Sequence, residues 1–538
     1  MVRTRGVSVP GISLLLLLGF STAGRADVVL DWNEVALDAI QMDRTAPPKA
    51  GRALACVHVA IFDAINSVSG GPFTPYLVQP VEFVSPVSAE AAAASAAHDV
   101  LVELFPAQEA AFDAALAASL AEIPNGTPET NGVDWGKSVA QQIMALRGDD
   151  GSGTTVSYEP PTGANWWAPT PPGFAAPLLP NWPSVTPWTM THASQFRQGP
   201  PPASTSPEYT AAFLEVQRLG EADSPHRTAE QSQIALFWAD GPGTATPPGH
   251  WHVIAQDLSR AEGLNIFMNA RLFALLAMAN ADAAIVSWDH KYYYSSWRPV
   301  TGIQHADTDG NPATTADPAW TSFIATPPFP SYTSGHSTFS SASARIIALF
   351  IGTDAISFST TSDALPGVTR SFTSLSDAAE EAGQSRIYGG IHWQFDNEAG
   401  LSSGQALAEH VFFNFLTPTQ PSSTCLPGST TLCLAGGRFK VQADWTTASA
   451  HGPAHAVKLG DDSGTFWFFD EDNTELTLKV LNACDDFDRF WVFASGLTNV
   501  EVLVTVTDTK TGSTRQYFNP QGKPFAPVQD TNAFATCP

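Results

Sequence analysis

Three short segments, far apart in the chain, gather cationic and imidazole side chains. KYYYSSWRP carries Lys291 and Arg298, with Pro299 after it. FPSYTSGHSTFSSASARIIALF carries Ser334, Gly335 and His336 directly before a helical apolar run, and SRIYGGIHWQFDNEAG carries Arg386, His392 and Asp396. Each suits a tetrahedral anion. A helix that begins after Ser-Gly offers free backbone amides and the positive end of its dipole, and a glycine lets an oxygen approach the backbone closely. Two guanidinium groups and one ammonium supply charge-assisted, partly bidentate hydrogen bonds to its oxygens. His392 precedes Asp396 by four residues, so the carboxylate can accept the far N–H and fix the tautomer. His392 is therefore the candidate covalent or coordinating partner, and His336, at a helix start, the candidate acid/base.

Taken singly, these pieces are ordinary. Ser-Gly-His is commonly a helix cap, Lys291 and Arg298 suit the solvated end of a helix, and a lone His392 suits a satisfied core position. Together, in this order and with these spacings, the segments resemble the three-part signature of the vanadium-dependent haloperoxidase and type 2 phosphatidic acid phosphatase superfamily. One departure is Thr333, where that family usually has proline before Ser-Gly-His. HVAIFDAIN, QIALFWADGPGT and PPGHW resemble segments of the haloperoxidase branch, and Trp288 and Phe329 match aromatic positions near the halide site of its fungal chloroperoxidases.

The resemblance implies vanadate as cofactor, with phosphate able to occupy the same site. It implies that His392 coordinates the metal while Lys291, Arg298, Arg386, Ser334 and the Gly335 amide hold the oxygens. Hydrogen peroxide and a halide or small organic substrate are the implied partners. By the same resemblance His336 assists peroxide at the apical position, Lys291 polarises it, and halide is oxidised to hypohalous acid. The alternative is a secreted acid phosphatase in which His392 attacks phosphorus and His336 protonates the leaving alcohol. A third reading is a non-catalytic oxyanion-binding protein, for which the orienting Asp396 and the second imidazole have no use. Arg386 needs a carboxylate among so many cations, and Asp240 in the FWADG segment is the expected partner.

These residues must be positioned by helices. From Trp32 to about Leu416 the apolar positions mostly follow helical spacing, over Leu54 to Ile65, Ala89 to Leu104, Ala110 to Ile123, Tyr209 to Leu219, Ala229 to Trp238 and Leu264 to Tyr293. The fold class is mainly α: a helical bundle of the kind the resemblance implies, with a small C-terminal all-β sandwich. The run from Leu264 to Trp288 is the most apolar, yet Asn269, Arg271, Asn280 and Asp282 on it would lack partners in lipid, so it reads as a buried helix and not a membrane span. Between Ser152 and Pro207 prolines exclude helix, and Trp166, Trp167, Trp182 and Trp188 point to an ordered loop draped over the bundle.

After Leu416 a Pro/Ser/Thr/Gly linker gives way to alternating runs such as ELTLKVLN and VEVLVTVTDT, which signal antiparallel strands. The expected organisation is a signal peptide over 1–26, a helical catalytic domain over 27–416, a linker over 417–434 and a β-sandwich accessory domain over 435–538. The signal is read from Arg3 and Arg5, the apolar run Ile12 to Phe20 and small residues ending near Ala26, so a secreted or periplasmic protein is expected. Of five cysteines, Cys425, Cys433, Cys484 and Cys537 cluster late in the chain and suggest two disulfides with three possible pairings. Closeness in sequence favours Cys425 with Cys433, while Cys56 reads as a buried apolar residue. A formal charge of −26 argues against nucleic acid and requires any anion site to concentrate its basic groups locally.

Overall fold

The computed structural model describes residues 27–537 other than 82, 420–424, 426, 448–449 and 512. The expected signal peptide and part of the linker lie outside the described residues. The helical region comprises α1 (Val28–Asp43), α2 (Pro47–Val68), α3 (Ala89–Leu104), α4 (Glu109–Ala121), α5 (Thr127–Arg147), α6 (Pro207–Leu219) and α7 (Ala229–Phe237). It continues through α8 (Thr246–Glu262), α9 (Ile266–Tyr294), the short α10 (Pro299–Gln304), α11 (Gly335–Ile351), α12 (Leu375–Tyr388) and α13 (Gln394–Asn414). A hairpin of β1 (Phe358–Thr361) and β2 (Thr369–Phe372) interrupts it, where helical spacing alone gave no warning of strands.

Helix α9 is the axis of this region. It starts where the Asn265 side chain accepts the Phe267 and Met268 amides, and it ends just beyond Lys291, where Ser295 turns into left-handed backbone (φ 47°). Nearly every residue from Asn269 to Lys291 is buried, packed against α2, α11 and α13. Its polar groups find partners inside the protein. Asp282 accepts the Trp188 and Thr189 amides at 2.8 and 2.7 Å, Asn280 accepts the Ser343 hydroxyl at 3.0 Å, and Arg271 donates to the Leu416 carbonyl at 2.8 Å. Helices α2 and α9 are long and apolar enough to cross a membrane, but 89% and 94% of their most apolar stretches are buried in this fold.

Asp282 also pins the proline-rich loop. Trp167, Trp182 and Trp188 of that loop are buried, whereas the Trp166 side chain is 40% exposed and its backbone bridges to Ser296. The loop is further fixed by Arg197, whose guanidinium grips both oxygens of Asp289 on α9 at 2.6 Å.

The C-terminal region contains β3 (Leu432–Leu434), β4 (Phe439–Thr446), β5 (His451–Pro453), β6 (His455–Lys458), β7 (Ser463–Trp467), β8 (Leu476–Ala483), β9 (Arg489–Gly496), β10 (Glu501–Asp508), β11 (Thr514–Asn519) and β12 (Val528–Phe534). They form two five-stranded antiparallel sheets, one ordered β11-β10-β4-β3 with β5 added to β4, the other β12-β9-β8-β7-β6. Alternate residues are buried along β8 and β10, and Val441, Val502 and Val504 of the first sheet share one apolar cluster with Leu478, Val480 and Val492 of the second. Disulfides Cys425–Cys433 and Cys484–Cys537 tie its ends, and Cys56 is free and buried in α2.

Candidate active site

The ends of five helices meet at one place. Lys291 lies in the last turn of α9, Arg298 caps α10, Ser334 caps α11, Arg386 lies in the last turn of α12, and His392 lies just before Trp393, the cap of α13. The link from α12 to α13 depends on glycine: Gly390 has φ 74°, and a Cβ there would sit 2.2 Å from the Gly220 carbonyl oxygen. That turn brings His392 back toward Arg298. Lys291, Arg298, Ser334, Arg386, His392 and Asp396 are all at most 3% exposed. His336 is the more open member of the set, half-buried as a residue although its Nε2 is itself buried.

His392 is held as its sequence spacing implies. Its Nδ1 lies 2.8 Å from Asp396 Oδ2, an oxygen that also accepts the Ser331 hydroxyl and the Trp393 amide. With its proton on Nδ1, the ring carries a lone pair on Nε2, which accepts from Arg298 Nη1 at 3.0 Å. Burial, then Arg298, Lys291 and Arg386, hold the His392 imidazole well below its ordinary range, which favours the neutral ring. Burial raises Asp396 to about 6, against the opposing pull of Ser331, the Trp393 amide and the cations.

The cations divide into two kinds. Lys291 gives its ammonium protons to the Pro330, Ser331 and Thr333 carbonyls, so it contributes charge from behind the loop and its donors are already engaged. Arg298 donates Nε to Phe329 O and Nη1 to Ile391 O, and Arg386 donates Nη1 to Trp238 O. Arg298 Nη2, Arg386 Nε and His336 Nε2 are buried without a partner. Such orphans are costly unless something fills them. Burial presses Arg298 down to about 9 and Arg386 to about 10, and pushes His336 well below its usual value, with Arg386 and Lys291 adding to the effect. An anion among them would relieve all three.

The α11 N-terminus completes the donor set. Ser334 Oγ accepts the Ser337 amide and lies 2.8 Å from Ser337 Oγ, whose hydroxyl donates to Asn397 Oδ1 at 2.7 Å. No acceptor is recorded among the described residues for the Gly335 and His336 amides. A Cβ on Gly335 would meet nothing closer than 3.7 Å, so there is room beside it. Among the described residues no three His, Cys, Asp or Glu side chains converge as a cation's ligands would. One imidazole lone pair amid unfilled N–H donors instead suits vanadate or phosphate.

The expected partner of Arg386 is corrected in part. Asp240 is buried and its field acts on Arg386, but no carboxylate among the described residues comes within ion-pair distance of that guanidinium. Asp240 is turned instead to His250, 3.2 Å from Nδ1. Trp288 and Phe329 do meet, at 5.0 Å between ring centroids, with Lys291 Nζ 4.9 Å from the Phe329 ring. The Trp288 N–H is spent on Leu178 O. Sequence reasoning missed Ser331 and the carbonyls of Phe329, Ile391 and Trp238. Ser331 lies three residues before Ser334 in the second segment and was open to notice, whereas a carbonyl carries no residue signature.

Helix ends that gather histidine and several unfilled donors define a class of site suited to an oxyanion. Residues 271–435, which include every residue of the site, match the family model described as VCPO second helical-bundle domain. The chain is 28% identical over 486 residues to vanadium chloroperoxidase of Curvularia inaequalis, covering 69% of this chain and 79% of that protein. It resembles the crystal structure of a bacterial vanadium-dependent iodoperoxidase at TM-score 0.64 and 27% identity, covering 73% of this chain and 98% of that one. A bacterial vanadium-dependent chloroperoxidase shares the fold at TM-score 0.54 and 17% identity, covering 69% of this chain and 92% of that one. The chain is thus similar to vanadium haloperoxidases in sequence and in fold.

Proposed function

We propose that this protein is a vanadate-dependent haloperoxidase that uses hydrogen peroxide to oxidise a halide to hypohalous acid. The observation that carries the reading is the set of buried donors unfilled among the described residues, Arg298 Nη2, Arg386 Nε and His336 Nε2, in the group of helix ends around His392, whose Nε2 now accepts from Arg298 Nη1. In this reading His392 is the single protein ligand, held in its tautomer by Asp396, and Arg298, Arg386, Ser334 and the Gly335 amide bind the oxygens. Vanadate supplies the Lewis acid that makes peroxide an oxidant. His336, on the open side, moves the proton of the incoming peroxide, Lys291 adds positive charge from behind, and Trp288 and Phe329 flank the halide. Phosphate competes for the same donors.

The reading extends to the whole chain: export after cleavage near Ala26, a catalytic domain over 27–416, a linker expected over 417–434 whose last residues already form β3, and an accessory domain, expected over 435–538, whose two sheets face each other as a sandwich. Its shared apolar cluster supports the last point. The test is halogenation of a phenolic dye with chloride, bromide or iodide, peroxide and vanadate, run beside hydrolysis of an aryl phosphate. Halide- and vanadate-dependent dye turnover is the expected result. Phosphate-ester hydrolysis without vanadate, and no halide oxidation with it, would transfer the same residues to a phosphatase with a phosphohistidine intermediate.

A further inference from the structure

The turn after α7 supports the anion site from one side. The Trp238 carbonyl accepts from Arg386, and the carbonyls of Trp238 and Ala239 face His336. Two residues beyond Trp238, Asp240 is buried in left-handed backbone (φ 43°), and its two oxygens lie 3.2 and 3.3 Å from His250 Nδ1. His250, on α8, is 5% exposed. Its Nε2 lies 3.3 Å from Thr360 Oγ on β1, and its ring stacks on Trp238 at 4.7 Å and 25°. With Nδ1 beside Asp240 and Nε2 beside Thr360 Oγ, both ring nitrogens have partners that fix the ring's orientation.

Asp240 is also the carboxylate whose field reaches Arg386, and Arg386 Nε has no partner. A buried carboxylate released from His250 has one obvious new partner, that guanidinium, and the ion pair would consume the donor an oxyanion needs. We propose that His250 is a positioning residue for the oxyanion site, holding Asp240 off Arg386 so that Arg386 Nε stays free for the ligand. The proposal rests on the haloperoxidase reading only in requiring that the site bind an oxyanion.

The test is inorganic phosphate binding to the full-length protein by titration calorimetry, with circular dichroism melts to confirm folding. His250→Phe keeps the volume and the stacking but not the hydrogen bonds, and should weaken phosphate about ten- to hundredfold, the usual effect of losing such an outer partner. Adding Asp240→Asn to it removes the charge that would capture Arg386 and should restore most of the affinity. His250→Asn, which keeps an N–H donor at the Nδ1 position, should bind nearly as the parent does. If the phenylalanine variant does not fold, His250→Leu with and without Asp240→Asn carries the same expectation. Parental affinity in a folded His250→Phe protein, or a double variant no better than the single one, would overturn the proposal. A parent protein that binds neither phosphate nor vanadate would overturn it by removing the oxyanion reading beneath it.

Discussion

Two buried arginine environments, one in the C-terminal sheets and one in the helical region, separate what builds this protein from what works in it. Arg438 meets both oxygens of Asp508 at 3.2 and 2.9 Å and reaches Thr536 as well. Against the upward pull of burial, Arg438 and Thr536 hold Asp508 below its ordinary range. There the fold supplies both charges. Arg298 and Arg386 are more deeply buried, are steered by backbone carbonyls, and each keeps one nitrogen unfilled among the described residues. A guanidinium that completes a fold brings its counter-charge with it, whereas one that binds an anion leaves that place to the ligand.

Substitutions can break this contrast. The largest effect is expected from His392→Ala, which should abolish halide oxidation and vanadate binding together, because one protein bond to the metal is lost and no neighbour replaces it. His336→Ala should slow turnover roughly 10²–10⁴-fold while vanadate remains bound, as for the loss of an acid/base group. Rate and affinity measured on one preparation separate the two histidines. Arg386→Met should weaken phosphate about ten- to hundredfold, the worth of a hydrogen bond to a charged group, with little loss in melting temperature. Arg438→Met should do the reverse, costing about 3 kcal/mol of stability by stranding Asp508 and leaving phosphate affinity unchanged. If both arginines affected stability alone, the distinction between them would be void. The smallest effect is expected from ending the chain near residue 422, which should leave phosphate affinity and turnover within about twofold if the β-region folds apart from the helical one.

Much of the site could be read from sequence because its chemistry uses side chains with distinctive spacing. His392 and Asp396 lie one helical turn apart, and Ser334-Gly335-His336 announces a helix start. What could not be read is carried by the backbone: the carbonyls that engage Lys291 and steer both arginines belong to Phe329, Pro330, Ser331, Thr333, Ile391 and Trp238, residues whose types do not advertise the role. The expected Arg386–Asp240 pair failed for a related reason. Asp240 was assigned by need for a counter-charge, while His250, ten residues on and brought back by α8, claims the carboxylate. Helices α2, α3, α4, α6, α7 and α9 were evident from apolar periodicity, and α9 in particular lies where its pattern ran. Helices α1, α5, α8, α12 and α13, within that same stretch, and the hairpin β1–β2 were not singled out. The hairpin strands are four residues each, too short for a period to declare itself.

The most direct test of the account is the position of vanadium in crystals soaked in orthovanadate, located by its anomalous scattering. The account predicts one strong peak at bonding distance from His392 Nε2, with Arg298 Nη2 and Arg386 Nε turned to its oxygens and the Gly335 amide beside them. A peak bound elsewhere, or none at His392 in protein that binds vanadate in solution, would contradict it.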